Sequence, residues 1–190
     1  MIRRKNIVQQ ISKIARLMPT SLLNTISQQQ LIFPFYHTVS DDPLLHLKHL
    51  YPIKNTKSFI QDLDFLLGHY QPIELNELLS HVLNKTSFSK PSFLLTFDDG
   101  LREFHDVIAP ILLRKGIPAV NFLNSSFIDN KELFYRYKAS VLIEHVHTNP
   151  NSLKHVKENN YSIQSFTQQL LSIEYKERDQ LDEWAHLLEY

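Results

Sequence analysis

Apolar and polar positions follow two rhythms along this chain. Over residues 56–69, Phe59, Ile60, Leu63, Leu66 and Leu67 recur at helical spacing, with Thr56 as the N-cap and Gly68 closing the pattern. Near the amino terminus Ile7, Ile11, Ile14 and Leu17/Met18 recur in the same way among Gln, Lys and Arg, which predicts an amphipathic helix with a basic face. Between helical stretches lie short apolar runs of strand type, over 31–36, around 72–74, and over 93–97 and 119–123. Pro34 should put the first at an edge or a bulge, and the last reads as buried. Residues 76–83 and 101–115 read as further helices. The second carries a stripe of Phe104, Val107, Ile108, Ile111 and Leu112, with a kink or restart at Pro110.

The order β-α-β-α-β-α-β up to Phe122 predicts an α/β fold with parallel strands and crossover helices. The pattern then changes. Residues 131–148, 162–172 and 175–188 read as helices, with Asn149-Pro150-Asn151 breaking the first from the second. Phe134, Tyr137, Val141, Leu142 and His145 share one side of the first helix, and Leu181, Trp184, Leu187 and Leu188 one side of the last. Aromatic residues at this spacing are read as packing rather than as a carbohydrate platform.

The organising stretch is Pro-Ser-Phe-Leu-Leu-Thr-Phe-Asp-Asp-Gly, residues 91–100. A buried strand runs into two adjacent carboxylates and one of only 3 glycines. That places Asp98 and Asp99 at the carboxyl end of a strand, the edge where open α/β sheets bind ligands. Like charges so close raise one pKa unless a cation neutralises them. One carboxylate holding a metal and the other accepting a proton is a stable division of labour. Successive strand residues point to opposite sides, so a pair can share a task only where the chain turns, and Gly100 permits that turn. The plainer reading is an Asp-Asp-Gly turn that caps the next helix. The apolar strand before it and the helix after it favour the site. His37 ends the first strand on the same rim, although alone it would read as a histidine bonded to a nearby carbonyl. Asn124 ends the 119–123 strand there too. His105 reads as part of a solvated helix face.

Composition narrows the chemistry. The chain has 190 residues, 43% hydrophobic content and 20 basic against 20 acidic residues, so nothing in its charge points to nucleic acid. With no cysteine and 10 histidines, any metal must be held by imidazole and carboxylate. Residues 1–18 have neither the apolar core of a signal peptide nor a transmembrane span. A cytoplasmic location is the default expectation. A basic amphipathic helix over residues 3–18 allows membrane-surface contact, but packing on its own domain is the favoured use.

Thr96-Phe97-Asp98-Asp99-Gly100 resembles the first signature motif of the polysaccharide deacetylases, the NodB-homology domain of carbohydrate esterase family 4. Phe35-Tyr36-His37-Thr38-Val39 resembles the Tyr-His-x-Val segment ending the first strand of that family. Gly116-Ile117-Pro118-Ala119-Val120-Asn121-Phe122 is similar to its Gly-Ile-Pro-Ala-Thr-Phe-Phe segment. The ordered resemblance runs from about residue 31 to residue 125 and fades from Phe127. It implies the amino-terminal part of a distorted (β/α) barrel of NodB type. The expected organisation is an amphipathic helix and linker over 1–26, the partial barrel over 27–126 and a helical insertion over 127–190.

The resemblance also implies metal-dependent de-N-acetylation of an N-acetylated polysaccharide or oligosaccharide, with Asp99 as ligand to a divalent ion, zinc first, and Asp98 as general base. His37, Thr96, Gly100 and Asn124 would form the rim. The family's other metal ligands are two histidines in a His-[Ser/Thr]-x-x-His element. No such pair follows Asp99: His145 and His147 are two apart, and His155 and His186 stand alone. Three expectations compete. The chain is a truncated deacetylase, the favoured one; or a degenerate relative that binds glycan or protein without catalysis; or His145, His147 or His155 replaces the missing pair. A glycoside hydrolase using the two Asp is disfavoured, because its carboxyls stand about 5–9.5 Å apart across the scissile bond.

Overall fold

The computed structural model describes residues 12–13, 15, 17–155 and 162–188. The amphipathic helix expected over 1–18, and with it the membrane-contact surface, lies mostly outside the described residues. Two compact units are present. One runs up to Val39 and resumes over Thr56–Leu123; the other combines Ser40–Asn55 with the chain from Asn124 onward.

In the first unit, α1 (Thr20–Ser27) occupies part of the stretch expected as linker, and Gln28 stops it in a left-handed conformation. β1 (Leu31–Ile32) and β2 (Phe35–Tyr36) flank Pro34. Then come α2 (Thr56–His69), β3 (Gln71–Pro72), α3 (Leu75–Asn84), β4 (Ser92–Phe93), β5 (Leu95–Asp98), α4 (Ala109–Lys115) and β6 (Ala119–Phe122). Every strand pairing is parallel, in the orders β1-β4-β3 and β2-β5-β6. The amides of Ser92, Leu94 and Thr96 donate to the carbonyls of Gln30, Ile32 and Pro34. One ladder therefore continues through both groups, and residues 92–98 act as a single central strand. Pro34 contributes its carbonyl and needs no amide, because among the described residues the segment 31–36 pairs along one side only. Among the described residues no pairing joins the outer strands into a closed barrel.

Residues 92–97 are all buried, as a central parallel strand covered on both faces must be. Phe93, Leu95 and Phe97 pack with Phe59, Leu63 and Leu66 of α2 and with Ile108, Ile111 and Leu112. Two local expectations are corrected. Gly68 does not close α2 by a left-handed turn; the Tyr70 amide still donates to Leu66 O, so helical bonding continues past it. β6 is not buried: Phe122 is 57% exposed, since the strand pairs only with β5 among the described residues. The restart at Pro110 is present. A π-turn over Phe104–Ile108 precedes α4, and the Ala109 amide donates to Phe104 O, an arrangement that accommodates a residue with no amide of its own.

The second unit is helical: α5 (Tyr135–Thr148), α6 (Ile163–Ser172) and α7 (Asp179–Leu187). Ser162 caps α6 by accepting the Ser165 amide. Leu142, Ile143, Val146, Phe166, Leu170, Leu181 and Trp184 form its core. Segment 40–55 is tied to α5 through Ser140, which is fully buried. Its hydroxyl donates to Leu45 O and accepts the His49 amide. Among the described residues no helix is long and apolar enough to cross a membrane.

Candidate active site

Because β2, β5 and β6 are parallel, their carboxyl ends share one rim. The β5 end carries the turn. Asp98 is its last strand residue, in register with Phe122. Asp99 and Gly100 follow with φ of 73° and 66°, two left-handed residues in succession. Glycine adopts that conformation freely, and Asp is one of the few side chains that tolerate it. Gly100 is doubly constrained, since a Cβ there would lie 2.5 Å from Leu123 Cδ2.

This turn swings Asp99 toward the end of β2. Its Oδ2 stands 4.0 Å from His37 Nε2, with the side chains 26% and 35% exposed. The gap is too long for a hydrogen bond. It is close to what two donors on one ion require, since zinc bonds of about 2.0–2.2 Å put tetrahedral ligands roughly 3.4 Å apart. Asp98, half-buried, has no hydrogen bond or ion pair to any described residue. Its carboxylate therefore does not cap the following helix. Among the described residues no group of three or more His, Cys, Asp or Glu is arranged to hold a metal. Among the described residues, the His37 and Asp99 side chains are the facing pair at this rim.

Behind the pair lies an aromatic support. Tyr36 stacks on Phe97 at 5.9 Å and meets Phe59 edge-on, and its hydroxyl donates to Asp62 Oδ2 at 2.7 Å. Burial, then the hydrogen bond to Asp62 and its charge, pushes the Tyr36 phenol far up, so it remains a donor. Tyr36 and Phe97 directly precede His37 and Asp98 in the chain, and the His37 ring itself meets Phe35 edge-on at 6.1 Å.

The other candidate residues have partners of their own. The Thr96 hydroxyl donates to Pro34 O at 3.3 Å and so serves the sheet. Asn124 belongs to the helical unit, where its Oδ1 accepts the Ser126 amide. His105 is 91% exposed and bonds Asp106, as expected of a solvated face. His147 Nε2 lies 3.2 Å from Thr167 Oγ1 and its ring packs against His49, away from any ligand cluster among the described residues. The Tyr36–Asp62 bond carried no sequence signal: Tyr36 lies in the Tyr-His-x-Val segment, but no spacing pairs it with Asp62, 26 positions on.

The first unit is a parallel α/β sheet with an acidic turn and a histidine on its carboxyl rim, the edge where such sheets bind ligands. The family model for polysaccharide deacetylases matches residues 85–186, more than half of the chain, which therefore belongs to the polysaccharide deacetylase family. The match reaches well past Phe127, into the helices. Among solved structures, the chain resembles a de-N-acetylase from Aggregatibacter actinomycetemcomitans, 26% identical with a TM-score of 0.46 over 55% of this chain and 42% of that one. It also resembles the Streptococcus pyogenes deacetylase PplD in complex with acetate, 21% identical, TM-score 0.46, covering 59% and 51%. The deacetylase domain of BpsB from Bordetella bronchiseptica is 13% identical, TM-score 0.38, covering 61% and 51%. The chain thus spans about half the length of these structures. No curated protein matches it.

Proposed function

We propose that this chain carries the Asp98/Asp99/His37 part of a metal-dependent de-N-acetylase site acting on an N-acetylated glycan, on a sheet that forms part of a distorted barrel. The supporting observation is the His37–Asp99 pair at 4.0 Å beside a carboxylate with no other bond. Asp99 and His37 are the residues that would hold a divalent ion such as zinc. When bound, the ion polarises the amide carbonyl and lowers the pKa of its water. Asp98 accepts the proton of that water as general base. Its lack of hydrogen-bond partners among the described residues leaves both oxygens available.

A second reading has its own observation. The lack of a three-donor cluster among the described residues favours a glycan- or protein-binding module without turnover. Elemental analysis of the purified chain, followed by release of acetate from N-acetylglucosamine oligomers, separates the two. The enzyme reading requires a stoichiometric ion lost in Asp99→Ala, and an Asp98→Asn variant that binds the ion but releases no acetate. An ion retained undiminished by Asp99→Ala overturns the assignment.

A further inference from the structure

The helical unit contains a cavity of about 410 Å³, within the ordinary range of small-molecule sites, about 300–1,000 Å³. Its aromatic wall borders the core, since Tyr135 lines the cavity and packs against the core cluster. The core uses Phe166 and Trp184, whereas Tyr175 on the cavity wall is 63% exposed and meets Tyr135 edge-on at 5.7 Å. Its polar groups are mostly fixed in advance. Lys138 donates to Asp182 at 2.6 Å, and Arg178 lies over the Tyr175 ring at 4.3 Å with Asp179 3.8 Å from its Nε. Glu132, also on the wall, has no ion pair or hydrogen bond to any described residue.

These facts narrow the occupant. Both cations are matched by carboxylates and Glu132 is in surplus, so a phosphate or other anion would face a net negative wall. A lipid chain would have to bury those charged groups against hydrocarbon. A sugar ring suits both surfaces: its C–H face can lie on an exposed aromatic ring while its hydroxyls meet carboxylates and guanidinium. An amine on that sugar would find Glu132 and a tyrosine ring.

We infer that the cavity bounded by Glu132, Tyr135, Tyr175 and Arg178 binds one hexosamine unit of a glycan. Naming the unit a hexosamine rests on the de-N-acetylase reading; the polyhydroxylated ring rests on the cavity itself. Calorimetric titration of the full chain with N-acetylglucosamine trisaccharide, its fully de-N-acetylated form and maltotriose tests this. Both amino-sugar trisaccharides should bind saturably and maltotriose much more weakly. Tyr175→Ala should weaken binding roughly tenfold, and Tyr175→Phe should restore it. Glu132→Gln should reduce affinity for the de-N-acetylated form more than for the acetylated one. No saturable binding, or equal binding by Tyr175→Ala, overturns the site; equal maltotriose binding overturns the hexosamine assignment. Tyr175-dependent binding without acetate release removes only the catalytic reading, and acetate release with Tyr175-independent binding removes only this one.

Discussion

His37 Nε2 and Asp99 Oδ2 face each other across 4.0 Å, although they follow different strands and no local pattern links them. The parallel register of β2 and β5, Phe35 with Thr96 and Tyr36 with Phe97, brings them to one level. If the pair is the nucleus of an ion site, His37→Ala should weaken divalent-ion binding roughly tenfold or more, read by competition with a chromophoric chelator. Unchanged affinity would mean that the two side chains are merely neighbours.

The turn predicts an inverted relation between stability and function. Asp99 has φ 73°, a conformation that costs a non-glycine residue on the order of 1 kcal/mol. Asp99→Gly should leave the melting temperature unchanged or higher while removing ion affinity. Gly100→Ala should instead destabilise by about 1–2 kcal/mol, from φ 66° and from the Leu123 side chain in the way. Chemical denaturation of both variants checks the contrast, and a Gly100→Ala protein as stable as the parent would refute the turn geometry.

Tyr36→Phe keeps the ring stack on Phe97 and deletes only the donor to Asp62. The expected loss is about 1 kcal/mol, measured by urea unfolding. Because burial holds the phenol protonated well above its ordinary range, this difference should be the same at neutral and at mildly alkaline pH.

In the helical unit, Lys48 Nζ donates to Glu144 Oε1 and His49 Nε2 lies 2.8 Å from Oε2. The Lys48 hydrogen bond first, then that of His49, holds the Glu144 carboxyl below its ordinary range. A carboxyl depressed on folding stabilises above its unfolded pKa, and that contribution is lost as pH falls through the folded value. Acidification below the ordinary glutamate range should therefore loosen segment 40–55 from α5. Amide exchange at His49, whose N–H bonds Ser140, should accelerate there, and Glu144→Gln should flatten the pH response. A His49 amide whose protection ignores both pH and the substitution would count against this tie.

Much of the architecture is local and could be read without coordinates. The stripe Phe59, Leu63 and Leu66 packs on the core as its period requires, and the run Phe93 to Phe97 is the buried central strand. Gly68 misled because a glycine near a helix end need not leave the helix, and β6 misled because apolar composition does not reveal whether a strand has neighbours on both sides. Spacing put Trp184 in the packed stripe with Leu181 and Leu188, but it gave no sign that Tyr175 lines a cavity.

By itself, then, the order of residues determined the alternation of strands and helices and set two carboxylates before a glycine, because periodicity and turn chemistry act over a few neighbouring positions. Which histidine meets Asp99, that the Thr96 hydroxyl turns to Pro34, and that residues 40–55 join the helical unit were decided only by tertiary structure. Those pairings depend on the register of strands and the packing of segments far apart in the chain, where side-chain volume and backbone hydrogen bonds, rather than local preference, select the partner.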